Sequence, residues 1–431
     1  MKKVLYLHLN KKNTKYSTAA LVAAIESSNI VNVKVEVVND PLDSLNFIGK
    51  YEKVVLGVSL LTTDLLNDNL ISDILKLKGK VLLIAGGPHA TGDPYGTLDL
   101  GFDVVVAGEG EETLPELLYA LAVDDDIRNV KGLYLEEYEF TGRRRLVDLD
   151  SFPPWPYWRG HFGPIEITRG CPFACAYCQT SFMFKAITRH RSIDKIIFYT
   201  KKLKELGGKD WRVVTPNALS YGGDGVRMEL DKVEELLSKV KDIGVRVFFG
   251  SFPSEVRPEF VTEESIRILK KYVNNKRLVI GAQSASDRML KILHRGHAWE
   301  DVVSAVELSV KHGFVPEVDF ILGLPFETEE DMEATLKGMR KLTSMGARAH
   351  LHYFMPLPGT PFTFFKPTRL PPKIRKEVAK LVGEGKGWGQ WLQQERIAWE
   401  IVKMIEEGRI KVRPPRASRP GNSKLINPLL K

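Results

Sequence analysis

Residues 168–178 read Thr-Arg-Gly-Cys-Pro-Phe-Ala-Cys-Ala-Tyr-Cys, and this stretch contains every cysteine of the 431-residue chain. The cysteines are Cys171, Cys175 and Cys178, in the spacing Cys-x3-Cys-x2-Cys. A tight group of thiols in a chain that has no other thiol indicates a metal centre. Three thiolates can bind three irons of a cubane four-iron cluster and leave the fourth iron open to a substrate or cosubstrate.

Other roles for the three cysteines fit less well. Unrelated core cysteines seldom gather in so short a stretch, and a disulfide would leave one thiol over. A structural zinc site needs a fourth ligand, and no histidine lies close enough in the sequence to complete a standard zinc knuckle. The spacing therefore predicts an iron–sulfur cluster.

The composition is that of an ordinary globular protein, with 43% hydrophobic and 27% charged residues. The length predicts two to three domains. No uninterrupted apolar run reaches about 18 residues, so the sequence predicts no membrane span. Residues 1–10 are too short in their apolar part for a signal peptide and predict a buried first strand. We therefore expect a cytoplasmic protein, because that compartment keeps thiols reduced and suits an oxygen-sensitive cluster.

The net charge of +8 is a mild basic bias that is concentrated at the end of the chain. Residues 409–431 contain seven Lys or Arg residues and no Asp or Glu, and residues 143–145 are three consecutive arginines. Such runs bind anionic partners, nucleic acid among them, or form an ordinary solvated surface. The sequence leaves both interpretations open.

Residues 1–125 alternate short β-branched runs with helical patterns. Apolar runs bounded by glycine predict a parallel sheet covered on both faces, which is a doubly wound domain. Ligands of such domains bind at the carboxyl ends of the strands. The predicted strands are residues 4–8, 33–38, 54–58, 81–85 and 104–106, and the helices include residues 18–27 and 113–121.

Two glycine-rich loops follow strands of this domain. Residues 85–91 read Ala-Gly-Gly-Pro-His-Ala-Thr, and residues 108–113 read Gly-Glu-Gly-Glu-Glu-Thr and open a helix. Paired glycines allow the backbone to approach a bulky planar or phosphate-bearing ligand. Either loop alone is also typical of an ordinary turn from strand to helix.

Residues 126–163 are predicted to connect two domains. Residues 131–138 and 144–148 are expected to pair as a small hairpin. Residues 151–158 contain three prolines, which rule out a central strand and predict an extended connector.

Residues 164–365 return to the alternation of strands and helices, and six βα units predict a partial barrel. Active-site groups of such barrels lie on loops at the strand carboxyl ends, and the cysteine loop follows the first strand. Residues 366–408 carry two amphipathic helices, 371–382 and 388–407, which predict a cap over the open side of the barrel or a substrate lid. The basic tail, 409–431, follows. The predicted barrel strands are residues 165–168, 212–215, 246–250, 277–282, 316–322 and 350–354, separated by helices that include 231–241, 300–311 and 328–343.

The pattern Cys-x3-Cys-x-aromatic-Cys resembles the signature of the radical SAM superfamily. The glycine loops upstream of it, together with residues 57–63, resemble the cobalamin-binding domain that is fused to many radical SAM enzymes. This resemblance implies an α/β fold with an N-terminal Rossmann-like cobalamin-binding domain, a partial (β/α)6 barrel and a C-terminal helical cap. It also implies three cofactors: a 4Fe-4S cluster on Cys171, Cys175 and Cys178, S-adenosylmethionine on the open iron, and cobalamin.

The same resemblance implies roles for individual residues. Tyr177 would lie beside the adenine, although a core aromatic is the alternative. Arg257 would pair with the methionyl carboxylate, or else form a surface ion pair. Gln283 stands where many relatives carry Glu, and its amide can still bond a ribose hydroxyl. The other contacts implied for S-adenosylmethionine are Asn217, Ser284, Gly323 and Pro325, and those implied for cobalamin are Ser59, Thr62, Thr63, Gly86, Gly87, His89, Gly108 and Gly110.

Three features depart from the family pattern or lie outside it. Residues 6–11 read Tyr-Leu-His-Leu-Asn-Lys where cobalamin proteins with a lower His ligand carry Asp-x-His-x-x-Gly. This implies cobalamin bound base-off without a His ligand, or a degenerate domain that binds none. Phe326 stands where the family usually has Gly, so it would alter the adenine wall or point outward. His350 and His352 share one face of the last strand, as a metal or acid/base pair or as core or rim groups.

The resemblance implies a cobalamin-dependent radical SAM enzyme and favours a methyltransferase. It would act on an unactivated carbon through a 5′-deoxyadenosyl radical, with methylcobalamin as the methyl donor. One alternative is a radical enzyme that forms C–C or C–S bonds on a lipid or RNA without methylcobalamin. Methylthiolation is the less expected of these, because no further cysteines exist for an auxiliary cluster. A second alternative is a non-catalytic sensor that binds cluster and corrinoid. We expect a small-molecule, lipid or RNA substrate and an electron donor of flavodoxin or ferredoxin type; the sequence does not indicate the oligomeric state.

Overall fold

The first part of the chain forms a six-stranded sheet in the computed structural model, which describes residues 1–411. The strand order is β2-β1-β3-β4-β5-β6, and every pair is parallel except β5 with β6. The strands are β1 Val4–Leu9, β2 Val33–Val38, β3 Lys53–Ser59, β4 Leu82–Gly86, β5 Val104–Val106 and β6 Leu133–Tyr134.

Helices cover both faces of this sheet. One buried cluster joins Tyr6 and Val55 of the sheet to Leu117, and the opposite face joins Leu7 and Leu56 to Ile74. Because both faces are buried, the strands are almost wholly apolar. The helices of this part are α1 Lys15–Ser27, α2 Asp68–Leu75, α3 Gly87–Gly92, α4 Pro94–Leu100 and α5 Gly110–Val123.

The five predicted strands of this part are confirmed, but the predicted hairpin between residues 131–138 and 144–148 is wrong. Leu133 and Tyr134 instead pair antiparallel with Val106 and Val105 of β5. Residues 144–148 form no strand. A tighter turn forms instead: Thr141 N donates to Leu133 O at 3.0 Å, and Tyr134 bridges Phe140, so the chain has already turned back before residue 144. Arg144 Nη1 then donates to Glu112 Oε2 on α5 at 3.1 Å.

The second part of the chain is a curved run of parallel strands. Two sheets have the orders β11-β10-β7 and β12-β13-β14-β15, and a short antiparallel pair, β8-β9, flanks the cysteine loop. A bridge between Val256 and Ile280 joins the two sheets. The strands are β7 Ile165–Glu166, β8 Thr168–Arg169, β9 Arg189–His190, β10 Asp210–Val214, β11 Arg246–Phe248, β12 Arg277–Gln283, β13 Val315–Leu322, β14 Arg348–Tyr353 and β15 Gly387–Trp388.

This arrangement confirms the partial barrel. The six predicted strands follow one another in chain order, and β15 adds a short seventh. Among residues 1–411 no strand pairing joins β7 to β14 or β15, so the barrel is open on that side. The helices of this part are α6 Gln179–Met183, α7 Ile193–Glu205, α8 Leu230–Asp242, α9 Glu263–Tyr272, α10 Asp287–Ile292, α11 Trp299–Lys311, α12 Glu329–Ser344, α13 Pro372–Gly383 and α14 Trp391–Glu406.

The last helix connects the barrel to the first sheet. Gln394 of α14 accepts a hydrogen bond from the backbone N–H of Tyr353 at 2.8 Å, and Ile401 packs with Leu65 of the first part. Lys411 N then donates to Asp93 Oδ2 at 2.9 Å. The predicted basic tail therefore begins as a segment bound to the first part, while residues 412–431 lie outside the described chain.

In the described part of the chain, residues 1–411, no helix combines the length and apolarity that a membrane crossing needs.

Candidate active site

The cysteine loop begins where β8 ends and is shaped by its own backbone. Gly170 has φ of +86°, and a Cβ there would overlap the carbonyl oxygen of Ile187, so the loop requires glycine at this point. Cys178 N donates to Cys175 O at 3.0 Å. All three cysteines line one cavity of about 550 Å³ at the carboxyl ends of the barrel strands, which we call the cluster cavity.

The burial of the three thiols favours a bound iron centre. Cys175 is buried, and Cys171 and Cys178 are half-buried. Burial raises the pKa of both Cys171 and Cys178. Thiolates at these positions therefore require a bound cation, which a cluster iron would supply.

Arg295 is one of the polar residues of this cavity that the sequence interpretation missed, along with Glu255, Asp319 and Gln394. Its Nη1 lies 3.6 Å from Cys175 Sγ and 3.3 Å from Tyr177 Oη, and Nη2 donates to the carbonyl oxygen of Gly281. Arg295 is 5% exposed, so its charge acts in a medium of low dielectric. The available signal was the run Leu-His-Arg-Gly-His at residues 293–297, a basic loop that follows α10 in the unit after β12.

Tyr177 and Gln283 are brought to the cluster cavity together with the cysteines. Tyr177 packs against an apolar group that includes Met289 and Phe354, and burial raises its pKa well above the usual value. Its ring is thus both a core aromatic and a cavity wall. Gln283 has φ of +74°, a strained value for a residue with a side chain.

Arg257 also lines the cavity, but its guanidinium is already engaged. Its Nε donates to Glu259 Oε1 at 2.6 Å, a second nitrogen bonds the carbonyl oxygen of Arg295, and the group stacks 3.4 Å above the Phe173 ring. The ion pair is buried and does not lie on the surface. Asn217 Oδ1 accepts from Arg257 N at 3.3 Å, and Asn217 Nδ2 is buried with no partner in residues 1–411.

Four residues predicted to contact S-adenosylmethionine, Asn217 and three others, are not among those that line the cavity in the described chain. Ser284 is fully buried, and its Oγ lies 3.2 Å from Thr335 Oγ1. Gly323 and Pro325 are buried, and a Cβ on Gly323 would overlap the Tyr353 ring. Phe326 is partly exposed and packs edge-to-face on Phe365 at 4.8 Å.

The lining of the cluster cavity also includes the carboxylates of Glu255 and Asp319 and the imidazole of His352, and His350 adjoins them without being among the lining residues of the described chain. Asp319 Oδ1 lies 2.7 Å from His350 Nδ1 and 3.9 Å from His352 Nε2, so these three residues have the spacing of a small metal site. His350 also stacks on Trp388 at 3.8 Å. Burial, and then the charge of Asp319, raises the pKa of Glu255 to about 7. The metal and acid/base interpretations of His350 and His352 stay predictions.

A second cavity, of about 370 Å³, lies at the carboxyl ends of the first sheet; we call it the corrinoid cavity. Ser59, Gly86, Gly87, Gly108 and Gly110 all line it, as the sequence predicts. A Cβ on Gly108 would meet no atom within 4 Å, so this loop leaves room for a ligand.

Thr62, Thr63 and His89 are not among the residues that line the corrinoid cavity in residues 1–411. Thr62 Oγ1 lies 3.1 Å from His89 Nδ1, and both residues are buried. This pair therefore fixes the turn after β3 against α3. The structure does not bring it to the ligand space.

The two cavities adjoin. Glu166, Arg169, Phe184 and Val214 line both of them. A ligand at the carboxyl ends of the first sheet would thus face the cysteine loop of the barrel across a shared wall.

Two family models match the chain, and they match the two parts just described. The model of the B12 binding domain matches residues 15–118, and that of the Radical SAM superfamily matches residues 165–338. The chain is a radical SAM protein with a B12-binding domain. The radical SAM domain implies a 4Fe-4S cluster and S-adenosylmethionine, and the B12-binding domain implies cobalamin.

Two relatives are similar to this chain over much of its length. An uncharacterised methyltransferase of Pyrococcus horikoshii is 26% identical over 339 residues, which cover 74% of this chain and 70% of the relative. A tRNA-2-methylthio-N(6)-dimethylallyladenosine synthase of Moorella thermoacetica is 29% identical over 274 residues, covering 62% of this chain and 60% of that protein.

Among solved structures, the radical S-adenosylmethionine methyltransferase TsrM from Kitasatospora setae, with cobalamin and a [4Fe-4S] cluster bound, has a similar fold. The TM-score is 0.65 at 18% identity, and the match covers 84% of this chain and 74% of TsrM. At this identity the likeness shows the fold, which confirms the predicted combination of a Rossmann-like domain and a partial barrel.

The residues present fit both cofactors. The three thiols suit an iron cluster with thiolate ligands. Burial raises the pKa of Cys171 and of Cys178, and the Arg295 guanidinium lies next to the third thiol, that of Cys175. The open space at Gly108 suits a bulky planar ligand. His8 also lines the corrinoid cavity, and its Nε2 is buried without a hydrogen-bond partner in residues 1–411.

Proposed function

We propose that this chain is a cobalamin-dependent radical SAM methyltransferase that methylates an unactivated carbon. One observation carries the proposal: the corrinoid cavity and the cluster cavity share a wall of four residues. When bound, the cluster with S-adenosylmethionine supplies a carbon radical, and the corrinoid supplies a methyl group. Because the two cavities adjoin at this wall, one substrate carbon at the wall would lie near both groups.

The residues of the site have distinct parts in this proposal. Cys171, Cys175 and Cys178 would hold the cluster. Arg295 would stabilise negative charge on the Cys175 sulfur, since its guanidinium already lies within bonding distance of it. Tyr177 would form one wall of the adenine site.

Apolar groups at the shared wall would keep water away from the reacting atoms. Phe184 and Val214 line both cavities, and Met183 lines the corrinoid side. Exclusion of water prevents quenching of a reactive intermediate. On the far wall of the cluster cavity, Asp319, His352 and Gln394 would orient the substrate by hydrogen bonds.

The first experiment requires no substrate. The protein would be purified and reconstituted without oxygen, and its iron, sulfide and cobalt contents and visible spectrum measured with and without hydroxocobalamin. We expect four irons and one corrinoid per chain, and 5′-deoxyadenosine after addition of dithionite and S-adenosylmethionine. A flavodoxin or ferredoxin should replace dithionite.

Methyl transfer is tested separately with S-adenosylmethionine that carries a deuterated methyl group. We expect the label to appear on reduced cobalamin bound to the protein, together with S-adenosylhomocysteine. Protein that binds corrinoid but never accepts the label would contradict the methyltransferase proposal and favour a scaffold role for the first domain.

RNA is a second candidate substrate class. The Moorella thermoacetica relative is named as an enzyme of tRNA, and residues 412–431 add five basic residues and no acidic one to this chain. Deletion of 412–431 spares the contact of Lys411 with Asp93. If RNA is the substrate, this deletion should weaken RNA binding and reduce its salt dependence. Unchanged affinity and salt slope would exclude the tail as the RNA contact.

A further inference from the structure

The corrinoid cavity has a buried polar floor, formed by Tyr6 and His8. Both residues are 1% exposed, both line the cavity, and they lie two positions apart on the same face of β1. His8 pairs in register with Gly57 of β3, where a Cβ would overlap the Tyr6 hydroxyl. Glycine at position 57 therefore makes room for this floor.

The protons of the floor can be assigned from its hydrogen bonds. Tyr6 Oη lies 2.8 Å from His8 Nδ1. Burial raises the pKa of Tyr6 and lowers the pKa of His8 to about 4, so both groups are neutral. Within residues 1–411 the Tyr6 hydroxyl has His8 as its partner, so it donates to Nδ1 and the imidazole proton sits on Nε2.

His8 Nε2 is then a buried donor without an acceptor. No group in residues 1–411 accepts its proton. Buried donors are normally paired, and an unpaired one is unfavourable. An acceptor from a ligand in the corrinoid cavity would satisfy it.

The surrounding wall indicates which part of a cobalamin would supply that acceptor. Ile84, Val106 and Leu114 line the cavity on the same side of the sheet as Tyr6. Thr14 Oγ1 is a second buried group of the lining without a partner in residues 1–411, but Thr14 is not part of this apolar group. Apolar side chains beside the His8 donor suit an aromatic base that has one ring nitrogen as acceptor. The chain lacks the sequence motif that carries a lower His ligand to cobalt, and its resemblance to cobalamin-binding radical SAM proteins without that motif implies a base detached from the metal.

We propose that His8 Nε2–H donates to the nucleotide base of cobalamin, at the ring nitrogen that is freed when the base leaves the cobalt. The inference rests on the proposed function, because it requires a corrinoid in this cavity. His8 would thereby hold the corrinoid base-off without touching the metal. It is a specificity residue for the lower base.

The test compares cobalamin with cobinamide, which has the corrin ring but no nucleotide base. Affinities of the anaerobic full-length protein would be measured by absorbance titration for wild type, His8→Leu, His8→Gln and His161→Leu. We expect wild type to prefer cobalamin. His8→Leu should weaken cobalamin binding about three- to tenfold, the range of one neutral hydrogen bond, and leave cobinamide binding unchanged.

Two variants control for other causes. The Gln amide offers an N–H near the position of Nε2, so His8→Gln should recover part of the preference. His161→Leu makes the same change at an exposed histidine outside the cavity and should have no effect. Melting temperatures of the ligand-free variants check folding. Should His8→Leu prove unfolded, His8→Phe, which keeps an aromatic ring but has no donor, replaces it: a smaller preference for cobalamin with unchanged cobinamide binding supports the donor role, and an equal loss for both corrinoids, or no loss, overturns it.

The outcomes separate this inference from the proposed function. Failure of wild type to bind either corrinoid overturns the proposed function and this inference with it. If wild type binds the corrinoids and His8→Leu either weakens the binding of both equally or weakens neither, the role of His8 is overturned and the proposed function stands. The EPR spectrum of bound cob(II)alamin should lack nitrogen splitting. A nitrogen splitting that disappears in His8→Leu would make His8 a cobalt ligand and also overturn the inference.

Discussion

Arg169 bonds Glu109 across the two parts of the site: Nη1 of the arginine donates to Oε1 of the glutamate at 2.8 Å. Arg169 directly precedes the cysteine loop, and Glu109 lies between Gly108 and Gly110 of the corrinoid cavity. The two side chains are 11% and 4% exposed, so the bond forms in a medium of low dielectric. The loops proposed to bind the two cofactors are thus tied directly to each other.

Replacement of Arg169 by Met should destabilise the protein strongly. Glu109 would keep Arg189 as a partner, but Glu111 would lose its 2.6 Å bond to Arg169 and remain buried. A buried charge without its partner costs about 3–5 kcal/mol. We expect a loss of this order in chemical unfolding, with faster proteolysis in residues 126–163.

Arg128→Met is the matched control for this prediction. Arg128 pairs with Glu139 on the surface, where solvent screens the charges, so its loss should change stability little. If Arg169→Met and Arg128→Met lower the free energy of unfolding by the same amount, the bond between Arg169 and Glu109 stabilises the protein no more than a surface ion pair does.

Arg295→Gln should make the cluster harder to reduce. The guanidinium lies 3.6 Å from Cys175 Sγ and favours the more negative, reduced state of a bound cluster. A charge-assisted hydrogen bond lost in a one-electron couple corresponds to a shift on the order of 50–100 mV toward more negative potentials. An EPR-monitored redox titration measures it.

Iron content should be unchanged in Arg295→Gln, because no thiol ligand is altered. Arg246→Gln, at an exposed arginine that pairs with Asp210, should leave the potential at the wild-type value. A potential that does not move in Arg295→Gln contradicts the proposed role of this side chain.

The alternating strands and helices of this fold could be predicted from the sequence, but individual long-range side-chain contacts could not. Buried strands such as β4 and β5 are wholly apolar, so their positions follow from composition. Arg295 was missed because its approach to Cys175 depends on how α10 and its following loop return to the cavity, which no periodic pattern encodes. The hairpin error has another origin: the turn comes earlier than predicted, so residues 139–142, and not 144–148, pair with residues 132–135.

Gly92→Ala should disturb the junction between the first domain and the barrel. Gly92 ends α3 and lies against the backbone of Pro358, so a Cβ there would overlap the Pro358 carbonyl oxygen. Gln179, next to Cys178, bonds the carbonyl oxygens of Pro88 and Pro358 at 3.2 and 2.8 Å, and this bridge would be displaced. We expect a destabilisation of about 1–3 kcal/mol, typical of overpacking, and weaker corrinoid binding.

Gly383→Ala is the matched control, because Gly383 also ends a helix, α13, but has open space around a Cβ. This change should be neutral, or stabilising by up to about 1 kcal/mol through helix propensity. Loss of stability in both variants would point to a general cost of replacing glycine at a helix end.

Glu327 should make stability fall as the pH rises. It is buried in the loop after β13, and this burial, with the nearby charge of Asp331, raises its pKa to about 8. An unfolded glutamate has a pKa near 4.5. The folded protein therefore retains a proton that the unfolded chain has lost, so this contribution is complete below about pH 4.5 and is lost as the pH rises through 8. A tenfold change in an acid dissociation constant corresponds to about 1.4 kcal/mol, so the lost free energy of unfolding amounts to a few kcal/mol.

Glu327→Gln keeps the shape of the protonated side chain and removes its titration. Urea unfolding of the ligand-free protein should give nearly equal stabilities for wild type and Glu327→Gln at pH 5, and a variant that is more stable by a few kcal/mol at pH 8.5. The difference between the two proteins cancels buried histidines such as His89, whose lowered pKa acts in the opposite direction. Glu330→Gln is the control: Glu330 is exposed in the same segment, and hydrogen bonds at the start of α12 lower its pKa, so it should not reproduce the gain at pH 8.5. A difference between wild type and Glu327→Gln that is constant from pH 5 to pH 8.5 would mean that Glu327 titrates in the folded protein as it does in the unfolded chain.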